Sequence, residues 1–128
     1  MKIKSAIAVI IVKDNKFLVS RRTNTRTFKG HMQFPGGEVD FGESEEDAVN
    51  REMIEETGMT VFNLEHVFTC SDETTDNLAF YTASSNYIPI AKEPDKVDYL
   101  RYLSREELLK ETCCPGLTEA INFMPRLS

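Results

Sequence analysis

The stretch GGEVDFGESEEDAVNREMIEETG, residues Gly36 to Gly58, places nine Asp or Glu side chains among twenty-three residues, and its reading decides the fold. Ser44 to Thr57 carries good helix formers, Ser44 and Asp47 stand in capping-box spacing, and Gly58 sits where a helix stop is expected. On such a helix Glu52, Glu55 and Glu56 are three and four residues apart, so their carboxylates project within about 100° of one another. Carboxylates so spaced repel by a few tenths of a kcal/mol per pair, roughly, unless a cation lies between them. Clustered hard oxygen donors suit Mg²⁺ or Mn²⁺, ions that keep some waters and are completed by substrate phosphates. Glu45, Glu46 and Asp47 read differently, as a solvated first turn favoured by the helix dipole.

Working outward, the sequence has 128 residues, which suits one compact domain over 1–128 that buries most of its apolar surface in a single core. Hydrophobic residues make up 41% and charged residues 28%, an ordinary globular balance, and no signal peptide or long apolar run is visible. Neither a membrane nor a nucleic-acid polymer is expected as partner, because a net charge of −6 lacks the basic face that polyanions require. A small phosphorylated ligand stays open where metal ions mediate. Cys70, Cys113 and Cys114 form neither an even disulfide framework nor a CxxC pair, which points to the reducing cytoplasm.

On either side of the acidic stretch the periodicity is that of strands. Ile7 to Val12 and Phe17 to Ser20 are β-rich runs joined by Lys13-Asp14-Asn15-Lys16, a hairpin turn. Thr23 to Met32 is polar and reads as a loop leading to Gln33-Phe34-Pro35. Val61 to Cys70 and Leu78 to Thr82 are expected as strands around a polar Ser71 to Asn77 turn, with another strand near Tyr99 to Leu103. Ser104 to Glu111 and Thr118 to Met124 are expected helices, split by Pro115-Gly116. Strands before and after one central helix, with helices at the end, predict a mixed sheet covered on both faces.

Spacing makes the acidic stretch specific. Gly37, five residues, Glu43, seven residues, Arg51-Glu52, two apolar residues, Glu55-Glu56, Thr57, Gly58 and apolar Met59 match every specified position of the Nudix box. Seven fixed identities coincide by chance on the order of once in 10⁸ windows if each type fills about one position in fifteen. The chain therefore resembles the Nudix hydrolase family, and the flanking pattern extends that likeness over most of its length. The resemblance implies an α/β/α sandwich with a mixed β-sheet, and divalent-metal-dependent hydrolysis of a nucleoside diphosphate linked to another group. It implies that Glu52, Glu55 and Glu56 hold Mg²⁺, with Mn²⁺ tolerated, that the Gly36 carbonyl adds a ligand, and that Arg51 and Glu43 orient the loop and helix. Elementary chemistry agrees: hydrolysing a pyrophosphate needs an activated water and charge neutralisation on the phosphate oxygens. The general base is either a box glutamate or a carboxylate of the later segment, Glu93, Asp95 or Asp98, and Lys96 is a phosphate-contact candidate.

Substrate identity has to come from outside the box. TRTFKGHMQFPGGEVDFGE together with EPDKVDYLRYLSREEL is similar to the MutT-like branch, which acts on nucleoside triphosphates and their modified forms. The expected substrate-binding residues are Arg21, Arg22, Arg26 and Lys29 for a phosphate tail, Phe28, His31 and Phe80 for a base, and Asp98. Phe34 and Tyr81 are further aromatic candidates that compete with a plain core role. The expected reaction is cleavage of a nucleoside triphosphate, normal or modified in its base, to the monophosphate and pyrophosphate. A dinucleotide or ADP-ribose type pyrophosphatase is the alternative, and a non-catalytic nucleotide sensor weighs less because every box carboxylate is intact. The partner is then a small nucleotide, and homodimerisation stays open.

Overall fold

The computed structural model describes residues 2–23, 28–92 and 97–123. Strand β1 (Ile3–Lys13) turns into β2 (Lys16–Arg22) through Asp14 and Asn15. Their φ values of 52° and 63° are the left-handed pair that a two-residue hairpin of strand-matching twist requires. Next come β3 (Met32–Gln33), β4 (Gly36–Glu38), α1 (Glu45–Thr57), β5 (Phe62–Cys70), β6 (Thr75–Ser84) and β7 (Val97–Ser104). Two helices, α2 (Arg105–Leu109) and α3 (Pro115–Phe123), end the described chain.

The sheet is mixed, with main strand order β3-β2-β1-β6-β5. β1 runs parallel to β6 from Ile3 opposite Thr75 to Ile11 opposite Ala83. Its other edge is shared: Ala6 to Ala8 pair antiparallel with β4, and only Val12 and Lys13 pair with β2. β7 joins the free side of β2.

Both faces are covered, which is why β1 reads as an unbroken apolar run rather than an alternating one. Ile7, Val9 and Ile11 point one way, into a cluster with Ala48, Val49 and Met53 of α1. Ala8 and Ile10 point the other way, into a cluster with Leu108 of α2 and Leu117, Ala120 and Ile121 of α3. Helix, mixed sheet and helix make the α/β/α sandwich expected from the sequence.

Helix α1 begins and ends where its punctuation predicts. Ser44 accepts a hydrogen bond from the Asp47 amide at 3.0 Å, and Gly58 closes the helix at φ 71°. Elsewhere the expectations need correcting. The 71–77 turn is shorter, since β6 starts at Thr75: Asp72 Oδ1 accepts from the Thr74 amide, the Thr74 hydroxyl and the Thr75 amide, closing the turn early. Polar Thr75 and Asn77 are then drawn into the ladder by parallel pairing with Ile3 and Ser5. Pro115-Gly116 starts α3 rather than separating it from what precedes, because proline at the first helical position gives up no internal hydrogen bond. Strand β4 has no periodicity of its own and is made by its pairing with β1.

Candidate active site

Strand β4 and helix α1 meet at glycines. A Cβ on Gly36 would collide with the Ile7 carbonyl oxygen across the β1 ladder, and one on Gly37 would collide with the Glu52 carboxylate. Neither glycine has positive φ, so close approach demands them, not an unusual backbone conformation. They let strand and helix carboxylate touch.

Arg51 is the hub of the acidic stretch. Its Nε donates to Glu43 Oε2 at 2.8 Å, and its Nη2 donates to Glu43 Oε1 and to the Glu38 carbonyl, each at 2.9 Å. Nη1 donates to Glu55 Oε1 at 3.1 Å and lies 3.5 Å from Glu52 Oε2, and Nη2 lies 3.6 Å from Asp40. A planar fork suits this bidentate grip, which lysine cannot reproduce. The Arg51 hydrogen bonds, helped by the Asp40 amide, hold the Glu43 carboxyl at a pKa of about 2. In return Glu43 raises the Arg51 pKa, against a smaller opposing effect of burial. Glu43 is thus a tether that closes the loop onto α1, and the guanidinium is the cation that lets these carboxylates coexist.

The three box glutamates differ in setting. Glu56 is only 6% exposed, the Glu52 side chain 14% and the Glu55 side chain 47%. All three line one cavity of about 650 Å³ together with Gly36, Gly37 and Arg51. The donor set, three carboxylates beside the Gly36 carbonyl, is hard oxygen throughout and fits a small divalent ion. Among the described residues no three acidic, His or Cys side chains converge on one ligation point, and Arg51 is in contact with two of the glutamates. The fit therefore lies in chemistry and position, with side-chain rotation needed to close it around an ion.

The same cavity reaches Arg22, Phe28, Gln33, Phe34 and Phe80, far from α1 in sequence. Arg22 and Phe28 of the expected substrate residues therefore border it, and so does Phe80, stacked on Phe68 with ring centroids 4.6 Å apart. His31 touches the Phe28 ring at 5.4 Å but is not part of the lining, and Lys29 is exposed outside it. Arg21 pairs in the ladder with Met32 and Asp98 and is likewise outside the lining. Tyr81 faces the α1 side, where its hydroxyl donates to Glu45 at 2.6 Å; burial, then that bond, raises its pKa. Arg26, Glu93, Asp95, Lys96 and the Asp98 side chain lie outside the described residues.

Lining residues that sequence reading missed include Gln33, Asp40, Asp72, Cys114 and Leu117. Asp40 could have been found from its place in the loop before Glu43. The others carry no local signal, since separate strands and α3 bring them together.

Comparison with known proteins bears on the family and the fold. A family model described as NUDIX domain matches residues 1–122. An ADP-ribose pyrophosphatase of Methanocaldococcus jannaschii is 54% identical over 56 residues, 42% of this chain and 32% of that protein. An 8-oxo-dGTP diphosphatase of Escherichia coli is 36% identical over 59 residues, 46% of each chain. The matched segment thus spans less than half the length of these curated relatives. Among solved structures, a MutT NUDIX hydrolase from Burkholderia pseudomallei superposes with a TM-score of 0.81 at 22% identity, covering 93% of this chain and 95% of that one. A NUDIX family hydrolase from Clostridium perfringens gives 0.76 at 19% identity over 100% of both chains. At these identities the likeness concerns the fold.

Proposed function

The chain belongs to the NUDIX domain family, whose model spans residues 1–122, and from that premise we propose a divalent-metal-dependent hydrolase of nucleoside triphosphates. The observation that carries this reading is one cavity joining Glu52, Glu55 and Glu56 to Arg22, Phe28 and Gln33. Acid groups for a phosphate-bound ion and an aromatic, polar end for a base share one space. Water adds to an inner phosphorus, the bridging P–O bond breaks, and monophosphate, pyrophosphate and a proton result.

Glu52, Glu55, Glu56 and the Gly36 carbonyl are the groups that would hold the metal, with Mg²⁺ as the expected ion. Bound there, it would lower the pKa of water and neutralise phosphate charge. Glu55, the most exposed of the three, would take the proton of the attacking water at a carboxylate oxygen. Arg51 limits its rotamers and, through Glu43, keeps the loop closed. Arg22 at the other end supplies positive charge for a phosphate oxygen or a base. Three free cysteines fit a reducing, cytoplasmic setting, and we take residues 1–128 as one domain. Among the described residues no helix is long and apolar enough to cross a membrane.

Two experiments test the reaction. Turnover in isotopically labelled water, with mass analysis of both products, locates the attacked phosphorus. A panel of triphosphates, dinucleotides and ADP-ribose with Mg²⁺, Mn²⁺ or Ca²⁺ ranks substrates and ions; Ca²⁺ is expected to be poor because it prefers longer, looser coordination. ADP-ribose hydrolysis is the second reading, favoured by the 54% identical segment shared with the archaeal ADP-ribose pyrophosphatase. If ADP-ribose is turned over far more efficiently than every triphosphate, the second reading replaces the first.

A further inference from the structure

Gln33 precedes the Phe34-Pro35-Gly36 turn and ends β3, paired through Ser20 to β2, so its backbone position is set by the sheet. An unconstrained glutamine amide offers both an acceptor and two donors, and reads an adenine edge by using both. Here the choice is made by a neighbour. Arg22 Nη1 donates to Gln33 Oε1 at 2.8 Å, and guanidinium has donors only, so the amide orientation is dictated: oxygen toward Arg22, nitrogen away from it. Arg22 is itself placed by backbone bonds, its amide donating to the His31 carbonyl at 3.0 Å and its carbonyl accepting from Gly30 at 2.8 Å. Both side chains line the cavity beside Phe28.

Another polar side chain lining the cavity, Cys114, is tied in by its own amide, which donates to the Met32 carbonyl at 2.9 Å. Burial pushes its thiol pKa up to about 11, so it stays a weak donor at neutral pH. Asp72, which also borders the cavity, commits Oδ1 to three bonds within its own turn. The Arg22-Gln33 pair therefore presents mainly N–H donors to the cavity, the Gln33 oxygen being turned toward Arg22.

We infer that Gln33, held by Arg22, is a specificity-determining residue that selects nucleobases with a carbonyl at purine C6 or pyrimidine C4 over those with an amino group at that position. Hypoxanthine, guanine, uracil and thymine present an acceptor to the Gln33 N–H; adenine and cytosine at the same place present a donor to a donor. The inference rests on the reading of the cavity as a nucleotide site, and binding of monophosphates separates the two without needing turnover.

The test uses pairs that differ in this group and in the hydrogen on the ring nitrogen beside it. Affinities of the whole protein for IMP against AMP, and for UMP against CMP, are measured by calorimetry or NMR titration, with nucleoside triphosphate hydrolysis followed in parallel. The carbonyl member is expected to bind roughly tenfold tighter in each pair, the size of one hydrogen bond gained against one donor left unmet. Gln33→Glu keeps the shape and the Arg22 contact but replaces the donor nitrogen by an acceptor oxygen, and is expected to abolish or reverse the preference. Equal affinity within both pairs in the unmodified protein, with nucleotide binding intact, would overturn the inference and leave the hydrolase reading standing. An unchanged preference in Gln33→Glu would overturn the role of Gln33. Failure of all four monophosphates to bind while ADP-ribose does would overturn both.

Discussion

The two ends of the cavity are built on opposite principles. At the α1 end, charge is dense and mutually satisfied: one guanidinium contacts Asp40, Glu43, Glu52 and Glu55, and every one of these residues lies within fifteen positions of the others. At the other end the wall is aromatic and sparsely polar, assembled from β2, β3, β6 and α3 with one short hydrogen bond between Arg22 and Gln33. On the proposed reading, the difference separates the chemistry from the selectivity. Charge stabilisation needs groups held by short-range helix geometry, whereas shape recognition is collected from wherever the sheet brings side chains together.

Substitutions can break this division, and the largest effect is expected at the charged end. Glu56→Gln keeps the side-chain shape but removes a buried charge, so turnover should fall roughly 10²-fold or more, with weaker Mn²⁺ binding by electron paramagnetic resonance. An unchanged rate and unchanged metal dependence would sink the assignment. At the aromatic end, Phe28→Ala should raise KM roughly tenfold for nucleotides while leaving kcat nearly alone, since stacking is lost equally from ground and transition states. A fall confined to kcat would mean that the two ends are not separate.

Smaller effects sharpen the picture of the scaffold. The Glu43 carboxyl binds its proton less readily when folded, with pKa about 2 against 4.5 for an ordinary glutamate, so the folded state binds fewer protons and stability rises with pH through that window. Thermal melts of the unmodified protein and Glu43→Gln should therefore differ fully above pH 4.5 and converge as pH falls toward 2. A difference independent of pH would rule out the ionised tether. Least of all, Tyr81→Phe removes the bond to Glu45 that pins the start of α1, an expected loss of about 1 kcal/mol read as a Tm shift of a few degrees. Because Tyr81 is not among the residues lining the cavity, the KM of this variant for nucleotides should not move.

What the sequence determined by itself is the charged end and the helix that carries it. Ser44, Gly58 and the three- and four-residue spacing of Glu52, Glu55 and Glu56 are local, and local spacing alone sets a helical face. The hairpin at Asp14-Asn15 was legible for the same reason, and the order of strands and helices made a mixed sheet covered on both faces legible as well. Strand β4 was not legible, because three residues with two glycines become a strand only when β1 is beside them. Nor was the choice among aromatics: Phe80 and Tyr81 are neighbours on β6, yet one borders the cavity and the other holds α1, since successive residues of a strand face opposite ways and only the register with β1 says which way is which. Gln33 looked like any polar residue in a loop. Its donor character comes from Arg22, eleven positions earlier, across a pairing of β2 with β3 that no short-range pattern announces.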